Sequence, residues 1–183
     1  MLEKYLIEHC SPTLASLKTA NLFSMDTSKC KDLQRHIYNW NQKLNSKGIE
    51  MILLKQDGFR ALIYVCRKKQ LARDLSQPGA ASFMKKYGYE SIDADYAIEI
   101  LKNKLAKQSD FPHEIGMFLG YPLGDVIGFI DNAGKNSKCV GCWKVYCNEC
   151  QALKTFAKFE KCRNVYRNLW QNGREVMQLT VAA

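Results

Sequence analysis

The stretch from Ile49 to Cys66 limits the fold more than any other. Two strand-like runs, Ile49 to Lys55 and Phe59 to Cys66, flank Asp57-Gly58, a pair suited to a tight hairpin turn. Ile52, Leu53 and Leu54 are consecutive apolar residues, and so are Ala61 to Val65. Side chains alternate between the two faces of a strand, so unbroken apolar runs place apolar groups on both. Such a hairpin has to be covered by helices on two sides. Arg60 interrupts the apolar surface early in the second run. It reads either as a ligand for an anion in a cleft or as a solvated strand end.

The rest of the chain supplies the helices. Leu33, Ile37, Trp40 and Leu44 recur at spacings of four, three and four, with Gly48 as a stop. Arg67-Lys68-Lys69 opens a basic helix with Leu71 and Leu75 inward, followed by a short one carrying Phe83, Met84 and Tyr87. Asp93 to Lys107 holds the regular stripe Ala94, Ala97, Ile98, Leu101 and Leu105, and a last helix runs from about Glu149 to Asn172. Leu22, Phe23 and Met25 suggest a further strand, and Trp143 to Tyr146 another. The expected architecture is therefore α/β or α+β: one domain over residues 1–183, with a small mixed sheet of about four strands, one central hairpin among them, packed by helices.

Composition narrows the setting. With 183 residues, 46% hydrophobic and 25% charged, the chain can bury a substantial core. The first ten residues lack the continuous apolar centre of a signal peptide. The most apolar run, Ile115 to Ile130, is broken by Pro122 and Asp125 and is too short to span a bilayer. A cytoplasmic protein without membrane insertion is expected. In that reducing setting the eight cysteines are free, metal-bound or redox-active rather than disulfide-bonded. A formal charge of +9 makes nucleic acid or a small anionic ligand a partner worth testing.

Two segments gather residues with chemistry. In His9-Cys10-Ser11-Pro12-Thr13 the order Ser-Pro resembles a helix start, with Ser11 as cap and Pro12 in the first turn. Cys10 would then lie beside exposed amides that favour a thiolate, or else be a small buried residue next to a cap. The second segment, Phe111 to Ile130, repeats the proline-opened pattern twice. Pro112 precedes His113 and Glu114, and Pro122 follows Gly120 and Tyr121. Gly116, Gly120, Gly124 and Gly128 recur at every fourth position, suited to caps and close packing. Gly134-Lys135-Asn136-Ser137 fails as a phosphate loop, because Gly128 is one residue too distant and Asn136 replaces the required Ser or Thr.

The phrases HCSPTLASLKTANLFS, FPHEIGMFLGYPLGDVIGFI and CWKVY, with Cys162 in the following helix, resemble a bacterial family catalogued as domain of unknown function 3793. The resemblance covers nearly the whole chain and carries over no activity. It implies shared positions at Cys10, Pro12, Thr13, His113, Glu114, Gly116, Gly120, Tyr121, Pro122, Asp125, Trp143, Lys144 and Tyr146. Around the tryptophan the family reads more like GYWKVYGD. Here Cys142 and Cys147 replace the tyrosine and the glycine, and Cys150 is extra.

Cys139-x-x-Cys142 and Cys147-x-x-Cys150 would each make a metal knuckle for zinc or an iron-sulfur centre. Four residues separate the pairs, far fewer than the roughly 15–20 of common four-cysteine zinc sites. A straight strand from Cys142 to Cys147 would span about 16 Å, whereas sulfurs on one zinc lie within roughly 4 Å. The pairs can share a metal only if WKVY is not a straight strand. From Lys135 to Arg174 nine basic residues face two acids, a net of +7. That suits a nucleic-acid surface with Trp143, Tyr146 and Tyr166 to stack, or simply an amphipathic helix with a lysine-rich outer face.

Three functions follow as expectations. The first is a small-molecule site, an enzyme in one version, in which Cys10, His113 and Glu114 supply catalysis. Thr13, Arg60, Tyr121, Asp125 and Lys144 would bind the ligand. The second is metal or redox sensing through Cys139, Cys142, Cys147 and Cys150. The third is nucleic-acid binding through the basic C-terminal helix.

Overall fold

The computed structural model describes residues 2–107 and 111–182. The hairpin forms as the sequence predicts. β2 (Glu50–Asp57) and β3 (Arg60–Cys66) pair antiparallel across the Asp57-Gly58 turn, where Gly58 takes the left-handed φ of 52°. β1 (Ala20–Asp26) pairs antiparallel with the other side of β3, giving the order β1-β3-β2. Alternation then sorts the side chains. Ala61, Ile63 and Val65 point to one face with Phe23 and Met25, while Tyr64 and Cys66 point to the other with Ala20.

Each face carries its own core. Over the first lie α1 (Leu2–Leu14) and α2 (Leu33–Leu44), which bury Leu6, Ile7, Leu14, Ile37 and Leu44. Over the second lie α3 (Lys68–Leu75), α4 (Ala80–Lys86), α5 (Ala94–Lys107) and α6 (Ile115–Phe118), which bury Leu71, Leu75, Phe83, Met84, Ile98, Leu101 and Phe118. The Tyr64 hydroxyl donates to the Phe118 carbonyl at 2.6 Å and so fastens α6 to the sheet. α7 (Leu123–Asp131) follows a turn at Gly120, whose φ is 71°. α8 (Glu149–Gln171) lies along α1, and α9 (Val176–Leu179) closes the chain.

Two expectations change. The WKVY segment is not part of the main sheet. It makes a separate two-stranded ribbon from β4 (Cys139–Val140) and β5 (Lys144–Val145), so the main sheet is three-stranded and wholly antiparallel. Three residues, Gly141 to Trp143, turn the ribbon, with the Gly141 amide donating to the Trp143 carbonyl at 3.0 Å. His9 to Thr13 is not a helix start but the last turns of α1, with Pro12 inside the helix. Ser11 donates its hydroxyl back to the Ile7 carbonyl rather than capping forward.

The end of α1 also shows how a buried charge is held. Arg67 is 3% exposed. Its Nε donates to the Thr13 carbonyl at 2.8 Å and its Nη2 to the Leu14 and Val181 carbonyls at 2.9 and 2.7 Å. A guanidinium with five fixed donors suits the orphan carbonyls at the negative end of a helix. Arg67 thereby caps α1 and ties in the C-terminal segment.

Candidate functional site

The junction of α7 and the β4–β5 ribbon gathers most of the special residues. Its centre is Asp125, in the first turn of α7 and 3% exposed. One carboxylate oxygen accepts from the Trp143 indole N–H at 2.8 Å. The other accepts from the Tyr146 and Cys147 amides, each at 2.8 Å. A single carboxylate thus satisfies three donors of the ribbon and sets the Trp143 ring. The glycines of α7 permit the approach. A Cβ at Gly128 would lie 2.5 Å from Tyr146 Cβ, and one at Gly124 would lie 2.4 Å from Cys147 Sγ.

Trp143 is packed on two sides. Tyr121 stacks on it with centroids 5.0 Å apart, and Phe156 of α8 meets it edge-on at 4.6 Å. The Tyr121 hydroxyl donates to the Cys142 carbonyl at 3.1 Å, and burial pushes its phenol up to about 12. Beside this stack opens a cleft of about 460 Å³, lined by the rings of Phe111, Tyr121, Phe129 and Trp143 together with Val126 and Val140. That size is ordinary for a small-molecule pocket. The lining is almost wholly apolar, and the polar exceptions sit at its edge. His113 is exposed and leans on Phe129 with centroids 5.1 Å apart. Lys144 donates from Nζ to the Gly134 carbonyl at 2.6 Å, its ammonium 5.9 Å from the Phe129 ring centre.

The structure therefore brings His113, Tyr121, Asp125 and Lys144 to one cleft. It does not bring the other predicted residues there. Cys10 is fully buried in the core formed by α1 and α2, and burial drives its thiol far above the ordinary cysteine range. Thiolate chemistry at Cys10 has no support in that setting. Thr13 is also buried and donates to the Asn21 side-chain oxygen at 2.7 Å. Glu114, 3% exposed, accepts from Lys104 Nζ at 2.5 Å and from the Tyr89 hydroxyl at 3.2 Å, which makes it a link between α5 and α6. Arg60 donates to Ser24 Oγ at 3.2 Å and stands in register with Asp26 and Asp57 on either side, acidic surroundings that do not suit an anion.

The cysteines of the ribbon do not converge. Among the described residues no three His, Cys, Asp or Glu side chains stand close enough to hold a metal ion. Cys139 pairs in register with Val145, Cys142 sits in the ribbon's turn, and Cys147 and Cys150 are exposed around the start of α8. The aromatic residues offered for nucleic-acid stacking are committed elsewhere. Trp143 is packed between rings, Tyr166 is half-buried, and the Tyr146 hydroxyl is buried without a hydrogen-bond partner among the described residues.

Sequence reasoning missed Arg67 and Lys18. Arg67 had one signal, its place directly after the buried strand β3. Lys18, half-buried beside Tyr121, had none.

A family model described as Protein of unknown function (DUF3793) matches residues 6–180. The chain belongs to this family. No curated protein and no solved structure matches it. Every residue of the DUF3793 junction described above lies within the matched span, so ribbon, α7 and cleft are part of the family's own domain. Among the described residues no helix is long and apolar enough to cross a membrane.

Proposed function

We propose that this DUF3793 protein binds a small, largely apolar ring compound in the cleft between α7 and the ribbon. The observation that carries the reading is the lining: four aromatic rings from three segments face a cavity of about 460 Å³. Rings that wall a preformed cleft favour a flat partner, which can stack without reorganising them. His113 and Lys144 at the edge would meet an acidic or hydrogen-bonding group on that partner. The cleft supports binding rather than catalysis. His113 has neither the Cys10 thiol nor the Glu114 carboxylate within its surroundings, since one is buried in the far core and the other is paired with Lys104.

The test is a titration with 8-anilinonaphthalene-1-sulfonate, a flat aromatic anion of suitable chemistry. Saturable one-site binding to the folded protein is expected. Val140→Asp adds a charge at a rim position that is 67% exposed, so the fold should persist while affinity falls about tenfold, or ~1.4 kcal/mol. Binding that is absent, or equal in the Val140→Asp and Phe129→Ala variants, would remove the proposal.

A further inference from the structure

A separate cavity of about 370 Å³ opens between α1, the start of β1, the Cys142 turn and α8. Two cations stand on its wall, Lys18 and Arg163. Neither has a carboxylate partner among the described residues. The Lys18 ammonium donates once, to the Ala20 carbonyl at 2.7 Å, and lies 5.2 Å from the Tyr121 ring centre. It has three protons to give, so two are left for a ligand. Arg163 reaches from Nη1 only to the Cys142 sulfur, a weak acceptor 3.9 Å away.

The surrounding groups do not neutralise this pair. Glu8 is the one carboxylate on the described wall, and it is engaged by Lys4 at 3.8 Å. His9 packs in one ring cluster with Tyr5 and Phe23. Cys10 lies buried and protonated near neutrality. On the other side of Lys18, Arg67 and Asp74 border a neighbouring cleft. Arg67 is tied to main-chain carbonyls, and Asp74 accepts from Thr19 and Gln70. Two half-buried cations side by side repel, and a bound anion would relieve both that repulsion and their desolvation.

We propose that this cavity binds a small oxyanion, a phosphate, sulfate or carboxylate group, between Lys18 and Arg163. Burial holds the Lys18 amine down to about 8, with the Arg163 guanidinium adding to the effect. An anion favours the ammonium, so binding takes up a proton where the free amine has begun to lose it. Affinity is then greatest below pH 8 and declines above it.

Calorimetric titration with sodium sulfate at fixed ionic strength tests this, because sulfate keeps its charge across the range. Saturable binding is expected at pH 7, weaker at pH 9.5 by up to about thirtyfold as the competent ammonium form is depleted. Lys18→Met should lower affinity at pH 7 at least about tenfold and remove the pH step. Arg163→Gln, on a half-buried position of α8, should weaken binding yet keep the step. Parallel titrations with inorganic phosphate and with acetate separate a tetrahedral ligand group from a carboxylate. Val140→Asp should bind sulfate normally, so failure of the aromatic cleft and failure of this site are distinguishable. No binding by the native chain, or a pH step that survives in Lys18→Met, would overturn the proposal.

Discussion

Asp125 shows how much one residue can organise. Its carboxylate is buried, yet every bond it accepts comes from a neutral N–H of the ribbon, so α7 and the ribbon are joined by charge-assisted hydrogen bonds rather than by an ion pair. Replacing it with alanine would strand two main-chain amides and an indole N–H. Asp125→Ala is expected to lose about 3 kcal/mol in urea unfolding, given 1–3 kcal/mol for each buried donor left unsatisfied and partial relaxation. Asp125→Asn keeps one acceptor and should lose roughly half as much. If Asp125→Ala unfolds like the native chain, the staple is not what holds the ribbon. Sequence reasoning offered Asp125 as a ligand-binding residue within the apolar run that it interrupts. Its real partners lie about twenty positions away, which no local pattern reveals. At Cys10 the reading as a small buried residue agrees with the structure and the thiolate reading does not. Ser-Pro is usual at a helix start, but here the helix ends just beyond it, with Ser16 at a left-handed φ of 58° and Arg67 holding the carbonyls of Thr13 and Leu14.

At the scale of elements, α7 and the ribbon form one unit, and the glycines set their spacing. Gly128 and Gly124 differ in a way that can be measured. A methyl group at Gly128 would strike Tyr146 at its Cβ, which cannot move without the main chain, whereas one at Gly124 would strike a cysteine sulfur able to rotate. Gly128→Ala should cost about 1–3 kcal/mol and impair binding of the aromatic probe, with Gly124→Ala milder in both. Equal effects would mean that the ribbon adjusts freely. Helices α3 and α5 are legible in the sequence to within a residue or two, because each buries one continuous stripe, and α8 is legible in its bounds although it buries only Ala152, Phe159 and Cys162. The ribbon was not. Its strands are two residues each, too short for alternation to show, and their partner is local rather than the main sheet.

For the whole molecule, the two cores share a single sheet, and the buried thiols within them make stability depend on pH. Burial raises Cys10 well above its ordinary value, Cys66 to about 12 and Cys162 to about 11. Above roughly pH 9 the unfolded chain releases protons that the folded chain keeps, so stability falls as pH rises, by at most about 1.4 kcal/mol per pH unit for each thiol. Lys18 acts in the opposite sense between about 8 and 10.5, where the unfolded chain holds a proton that the folded chain has lost. Under reducing conditions, urea unfolding of the native chain should weaken from pH 9 to 11, and more steeply in Lys18→Met. A flat profile in both would contradict the burial described for these groups.

The central claim is that Trp143 forms the wall of a ligand cleft. The chain has three tryptophans, Trp40, Trp143 and Trp170. A Trp40→Phe, Trp170→Phe variant leaves Trp143 as the sole indole emitter, and its emission can be followed during the anilinonaphthalene sulfonate titration. A saturable change in Trp143 emission, with the same midpoint as the probe's own fluorescence and with both midpoints moved about tenfold higher in Val140→Asp, is the predicted result. Probe binding that leaves Trp143 emission unchanged would place the ligand elsewhere and contradict the account.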